Sequence, residues 1–358
     1  MNARPISYSM ISIIALLSWA CGGYSVGAQG WQHKLPDGGS AWVYTLQAEQ
    51  PPEKAKAAVL YVGGSNGSVL SAMGAMASFV MMDLQVFLLE RRGLGPEGKT
   101  DEEALWISAD REQRIADALS QAEVILQGLP AELPVLLVGA SEGADIAAEL
   151  AARSNGSSPG GARIGYLLLL GGGGGMSQAD ELRILVRREP NALGIGGMTE
   201  LDAAFQNIEQ YASAVRAADS SAELAAVDAL GRELWLGHPY RRWASYLWSP
   251  PTRALTSLDL PIALVHGAED QSVPIESARA LVEQFRRLGK ENLTFIELGG
   301  ADHSFRDSTG RSLMPVVEVE LLAWLRAQGL LDETEHARHL DAVHRAHPEL
   351  FETSERGL

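Results

Sequence analysis

The sequence predicts an α/β fold, a mostly parallel sheet with helices on both faces and one helical insertion, and three observations carry this. Short apolar runs recur from residue 42 to residue 297, and most are continuous rather than alternating, the pattern of strands buried on both faces. Helix-like stretches separate many of them, and strands alternating with helices build a parallel sheet. The alternation then stops between residues 176 and 255, directly after the glycines at 171–175.

Taken in order, Trp42–Leu46 reads as the first short strand and Ala58–Val62 as the second, the latter ending in Gly63-Gly64-Ser65-Asn66-Gly67. Val86–Leu89 is the third, followed by Glu90-Arg91-Arg92-Gly93-Leu94-Gly95. Val135–Val138, Ile164–Leu170, Ile262–His266 and Leu293–Glu297 complete the set. The helical stretches are Ala72–Met82, Arg111–Gln127, Asp145–Arg153, Ile275–Leu288 and Leu313–Gln328. Within the insertion, Leu201, Phe205, Ile208, Ala212 and Val215 keep a helical spacing, with Thr199 and Asp202 placed like a capping box. Ser220 and Glu223 repeat that arrangement before Leu224, Val227 and Leu230, so 176–255 is expected to be a helical cap on a core formed by 29–175 and 256–330. Residues 331–358 are polar and read as one exposed helix or a loosely docked tail.

A chain of 358 residues that is 46% hydrophobic can bury a large core. Its formal charge of −16 argues against a nucleic-acid groove or an anionic membrane surface as the main partner. The five-glycine run is too short to be a linker domain, and no internal repeat is evident. Arg4, an apolar stretch from Met10 to Ala20 and then small residues make the layout of a secretory signal over 1–28, with cleavage expected after Ala28. The stretch is too short to span a membrane. Export to the periplasm or beyond is therefore the expectation. The single cysteine, Cys21, excludes an intramolecular disulfide, and its place after the apolar stretch makes it a candidate lipid anchor.

The chemistry centres on Gly139-Ala140-Ser141-Glu142-Gly143, where an apolar strand gives way to a small-residue helix. Such a strand-turn-helix holds a serine hydroxyl on a strained turn, with glycines leaving room for crossing backbone. A serine needs a base within hydrogen-bond reach and a third group to orient that base. Asp270 follows the strand PIALVHG, with Glu269 and Asp302 as rival carboxylates, and His303 follows the strand LTFIELGG. Both loops lie at the strands' carboxyl ends, where ligand sites of open parallel sheets gather. His266 is expected to pack at its strand end rather than act as a base.

GASEG, HGAEDQSVP, GGADHSF and ERRGLG together make the chain resemble an α/β-hydrolase over nearly all of residues 40–328, and the order Ser, Asp, His is that family's. The resemblance implies Ser141 as nucleophile, Asp270 as orienting acid and His303 as general base. It also implies an oxyanion hole made by the backbone N–H of Glu142 and a second donor, Ser65 or Gly64, where the family often carries His-Gly and this chain has Gly63-Gly64. No cofactor or metal is implied.

The expected substrate is a small carboxylic ester or thioester, with a peptide-like substrate or a non-catalytic binding role as alternatives. Trp235, Tyr240 and Trp243 in the insertion are candidate pocket residues, together with His238, Trp248, Arg241 and Arg242, or else they pack the cap onto the core. The Glu142 side chain either serves the helix dipole or forms a rim carboxylate for a cationic substrate group. His336, His339, His344 and His347 fall within about 140° of one another on a helix at about 100° per residue, without a completing ligand from another element.

Overall fold

The computed structural model describes residues 10–11, 17–18, 25–48, 55–65, 67–154, 162–191 and 193–351. Cys21, most of the expected signal segment and the end of the tail lie outside them. The main sheet contains β1 (Ser25–Lys34), β2 (Ser40–Ala48), β3 (Ala58–Val62), β4 (Gln85–Leu89), β5 (Val135–Ala140), β6 (Ile164–Leu170), β7 (Ile262–Gly267) and β8 (Leu293–Leu298). Their spatial order is β1-β2-β4-β3-β5-β6-β7-β8. The first three in that order pair antiparallel and the rest parallel.

Every residue of β3 is buried, because Leu60 faces one helical layer while Val59 and Tyr61 face the other. That is why the run is apolar without alternation. On one face lie α3 (Arg111–Gly128), α4 (Glu142–Ser154) and α10 (Ile275–Arg287), which bury Ile115, Ile146 and Leu281. On the other lie α1 (Met73–Met81) and α11 (Met314–Ala327), with Met76, Phe79 and Leu322. Each such side chain contributes about 1.5–3 kcal/mol on burial. Asp110 starts α3 by accepting from the Gln113 N–H, which fixes where that helix leaves the sheet edge. Asp101 does the same for the short α2 (Glu102–Ile107), accepting from the Ala104 N–H.

β1 has no counterpart among the expected strands. SVGAQGWQHK has no apolar run, yet it pairs with β2 from Val26 opposite Ala48 to Lys34 opposite Ser40. The pieces Met10–Ile11 and Leu17–Ser18 pair antiparallel with it, and the expected cleavage point after Ala28 falls inside it.

The insertion is helical: α5 (Gln178–Arg188), α6 (Met198–Ala217), α7 (Ser221–Gly231) and α8 (Tyr240–Tyr246) gather around a core of their own that includes Leu182, Leu201, Phe205, Ile208 and Trp243. The Ser220–Glu223 capping box is formed. The Thr199–Asp202 box is not: α6 starts one residue before Thr199, so its N-cap is Gly197, at φ 95° and without a side chain to cap with. α9 (Thr252–Ser257) already belongs to the main core through Ala254 and Leu255. The tail contributes α12 (Glu333–Ala346), capped by Asp332 and Glu335 and docked through buried Val343 and an ion pair from Glu335 to Lys56.

Candidate active site

Ser141 stands between β5 and α4 with φ 53°, in the left-handed region that a non-glycine residue occupies only where its surroundings compel it. Its N–H donates to the Leu170 carbonyl at 2.8 Å, and its carbonyl accepts from the Ala144 N–H at 2.9 Å. The turn is held by close backbone contact: a Cβ on Gly143 would lie 2.2 Å from the Val62 carbonyl oxygen, and one on Gly172 would lie 2.2 Å from that of Ser141. After β6, Gly172 and Gly173 thus pass the serine turn against Ser141 and Ala144, while Gly174 and Gly175 pass α10 at Ser277 and Leu281.

His303 Nε2 lies 3.0 Å from Ser141 Oγ, and its Nδ1 lies 2.8 Å from Asp270 Oδ2. A carboxylate can only accept, so Nδ1 carries the hydrogen and Nε2 is free to accept from the serine hydroxyl. Asp270 Oδ1 in turn accepts from the Ser272 and Val273 N–H groups at 2.7 and 2.8 Å. The carboxylate on the ring is that of Asp270 and not of Glu269, and Asp302 Oδ1 is taken by the N–H groups of Ser304 and Arg306.

His266 is fully buried behind the acid, its Nε2 2.9 Å from the Val273 carbonyl and 3.4 Å from Asp270 Oδ2. Burial pushes the Asp270 carboxyl up, but hydrogen bonds from His266 and His303 and the charge of His303 outweigh it and hold the group well below the usual carboxylate range. Burial lowers the His303 imidazole, and the bond and charge of Asp270 more than reverse this, so it titrates above its ordinary 6.5. Sequence reasoning places His266 as strand-end packing and misses its support of Asp270, which only the fold brings about.

Gly64 lies against the serine: a Cβ on it would be 3.2 Å from Ser141 Cβ and 3.6 Å from Oγ. Gly64, Ser65, Glu142 and Ser141 line one cavity with His303. The Glu142 side chain, however, is no rim carboxylate. It is 3% exposed and held by two guanidiniums, Arg114 Nη1 on Oε1 and Arg242 Nε on Oε2 at 2.7 Å. Arg114 Nη2 also donates to the Gly63 and Gly64 carbonyls, the latter at 2.9 Å, and Arg91 Nη1 donates to the Ser65 carbonyl at 3.0 Å. ERRG marks Arg91, but no local motif marks Arg114 within α3.

The cavity holds about 410 Å³ and is lined from the cap by Gln178, Glu181, His238, Arg242 and Trp243. Of the expected pocket aromatics only Trp243 reaches it. Trp235 and Tyr240 lie in the cap's own core, because the Trp235 ring packs 4.9 Å from Trp243 and 6.0 Å from Phe205, and Tyr240 is 9% exposed. Burial raises the Glu181 carboxyl to about 8 despite the Ser277 hydroxyl 2.5 Å away. Burial, with Arg242 nearby, lowers His238 to about 4. Among the described residues no group of three or more His, Cys, Asp or Glu is set to hold a metal, and no helix is long and apolar enough to cross a membrane.

No protein-family profile matches the chain. Two curated proteins of Mycobacterium tuberculosis are similar over short segments: Esterase LipC, 34% identical over 55 residues, and the probable carboxylic ester hydrolase LipM, 33% identical over 61 residues. These segments are 15% and 17% of this chain and only 14% of each relative's length. Among solved structures, a thermostable carboxyl esterase from Bacillus coagulans in complex with glycerol superposes with a TM-score of 0.56 at 16% identity, over 84% of this chain and 98% of that one. A lipase in open form gives 0.52 at 18% identity, over 89% and 99%.

Proposed function

The chain has the α/β-hydrolase fold, and on that premise we propose that it is a serine hydrolase cleaving small carboxylic esters through an acyl-enzyme on Ser141. The observation that carries this reading is the unbroken line Ser141 Oγ, His303, Asp270 at 3.0 and 2.8 Å, opening on a cavity. As Oγ attacks the ester carbonyl, its proton passes to His303 Nε2, and the imidazolium so formed is stabilised by ionised Asp270. The same proton then goes to the leaving alkoxide. Water, deprotonated by His303, releases the acid. The oxyanion is held by the N–H groups of Glu142 and of Ser65 or Gly64, a donor pair worth about 10²–10³ in rate per donor.

The cap side of the cavity mixes Gln178, Glu181, His238 and Arg242 with Met176, Leu182 and Trp243, and its volume of about 410 Å³ supports a short acyl group over a long aliphatic one. The peptide-amine alternative loses its support, since Glu142 is already engaged by two arginines. Export, with Cys21 as a candidate anchor, is the accompanying proposal. Turnover of p-nitrophenyl esters of increasing chain length tests the main reading. Acetate and butyrate should be cleaved well and palmitate poorly. A preference for palmitate, or for aminoacyl amides, would contradict it.

A further inference from the structure

We propose that Arg114 is a positioning residue that fixes both halves of the oxyanion hole at once; this rests on the serine-hydrolase reading above. The two donors belong to segments far apart in sequence, the loop after β3 and the first residue of α4. One guanidinium from α3 reaches both: Nη1 binds the Glu142 carboxylate, while Nη2 binds the Gly63 and Gly64 carbonyls. In a trans peptide the N–H points opposite the C=O, so drawing these two carbonyls toward Arg114 turns the Gly64 and Ser65 N–H groups away from it. Gly64 approaches Ser141 closely, and both Gly64 and Ser65 line its cavity, which gives those N–H groups the oxyanion as a partner.

Arg114 itself is only 6% exposed and is not among the residues lining that cavity. It therefore acts through the loop and not on substrate. Glu142 carries a second anchor, Arg242 Nε of cap helix α8 at 2.7 Å, so the same junction ties the cap to the residue after the serine. The task requires a fork. A planar guanidinium offers two nitrogens in fixed geometry, whereas a lysine ammonium is a single point that can hold Glu142 or the loop carbonyls but not both in place.

Arg114→Lys is the test, measured per active site after titration with a fluorophosphonate. The expected result is kcat on p-nitrophenyl acetate reduced about 10²-fold, with KM within about twofold. Affinity for a trifluoromethyl ketone, which forms the tetrahedral adduct, should fall by a similar factor. A purely structural arginine would lower the melting temperature and the active fraction but leave kcat per site and ketone affinity alone, and that result overturns the proposal. Should the lysine variant not fold, Glu142→Gln keeps the loop bonds and loosens the other anchor; about a tenfold loss of kcat at unchanged KM is expected, and an unchanged kcat contradicts the proposal. Wild-type protein without ester turnover would sink this proposal and the reading beneath it together, whereas wild-type turnover matched by both variants sinks this one alone.

Discussion

The serine turn and the cap face each other across one cavity, and they are built on different rules. At the turn, geometry is imposed by backbone: Ser141 sits at φ 53°, wedged where any Cβ on Gly143 or Gly172 would collide with a carbonyl. In the cap the left-handed residues, such as Gly197 and Leu236, lie outside the cavity lining. The cap packs around Leu201, Phe205 and Trp243, separately from the two sheet-face cores, and reaches the serine turn by a charge contact, Arg242 on Glu142. Steric rules confine the sequence at the turn to small residues in a fixed pattern, while a packed helical cap accepts many apolar sequences of suitable volume. The first region should therefore tolerate almost no change in kind, and the second should respond to substitution mainly through its polar contacts.

The sharpest way to stress that contrast is at the base. Asp270→Asn should lower kcat about 10⁴-fold, because the amide favours the wrong imidazole tautomer. Its pH profile adds a second readout. His303 must be neutral to accept the serine proton, and Asp270 holds its pKa above 6.5, so wild-type kcat/KM should fall as pH drops through a midpoint above that value. In the asparagine variant the residual activity should titrate at lower pH, and an unmoved midpoint would show that Asp270 does not set it.

Across the cavity, the buried charges offer a graded comparison. Glu142→Leu leaves two buried guanidiniums facing each other and should cost about 3–5 kcal/mol in denaturant unfolding. Arg242→Met should cost less, since Glu142 keeps Arg114 as its partner. Equal losses in the two would mean that the arginines do not share one carboxylate. The last comparison is at Glu181, raised by burial from 4.5 to about 8. A raised folded pKa gives stability that is complete below about 4.5 and lost as pH rises through about 8. Glu181→Gln should flatten the dependence of the melting temperature on pH across that window, as read by thermal melts at several pH values.

Much of the turn is legible in the amino-acid sequence. Ser141, Asp270 and His303 follow apolar runs whose strand identity is plain, and a parallel sheet brings the ends of such strands together. What the sequence hides is whatever depends on side chains arriving from elsewhere. Arg114 lies mid-helix with nothing local to distinguish it, and His266 gains its role only when Asp270 folds back over it. In the cap, aromatic spacing marks a cluster but not its orientation, so Trp235 and Tyr240 are expected at the cavity while their rings lie within the cap's core. β1 escapes because its stability comes from pairing along β2 rather than from an apolar run.

The central claim is that Ser141 becomes covalently acylated, and trapping the adduct tests it most directly. Brief acid quenching of the protein with p-nitrophenyl butyrate, followed by peptide mass mapping, should find a butyryl group on the peptide carrying Ser141, absent in Ser141→Ala and accumulating in a variant slowed in deacylation. Hydrolysis that continues at the wild-type rate in Ser141→Ala, or an acyl group mapped to another residue, would contradict the account.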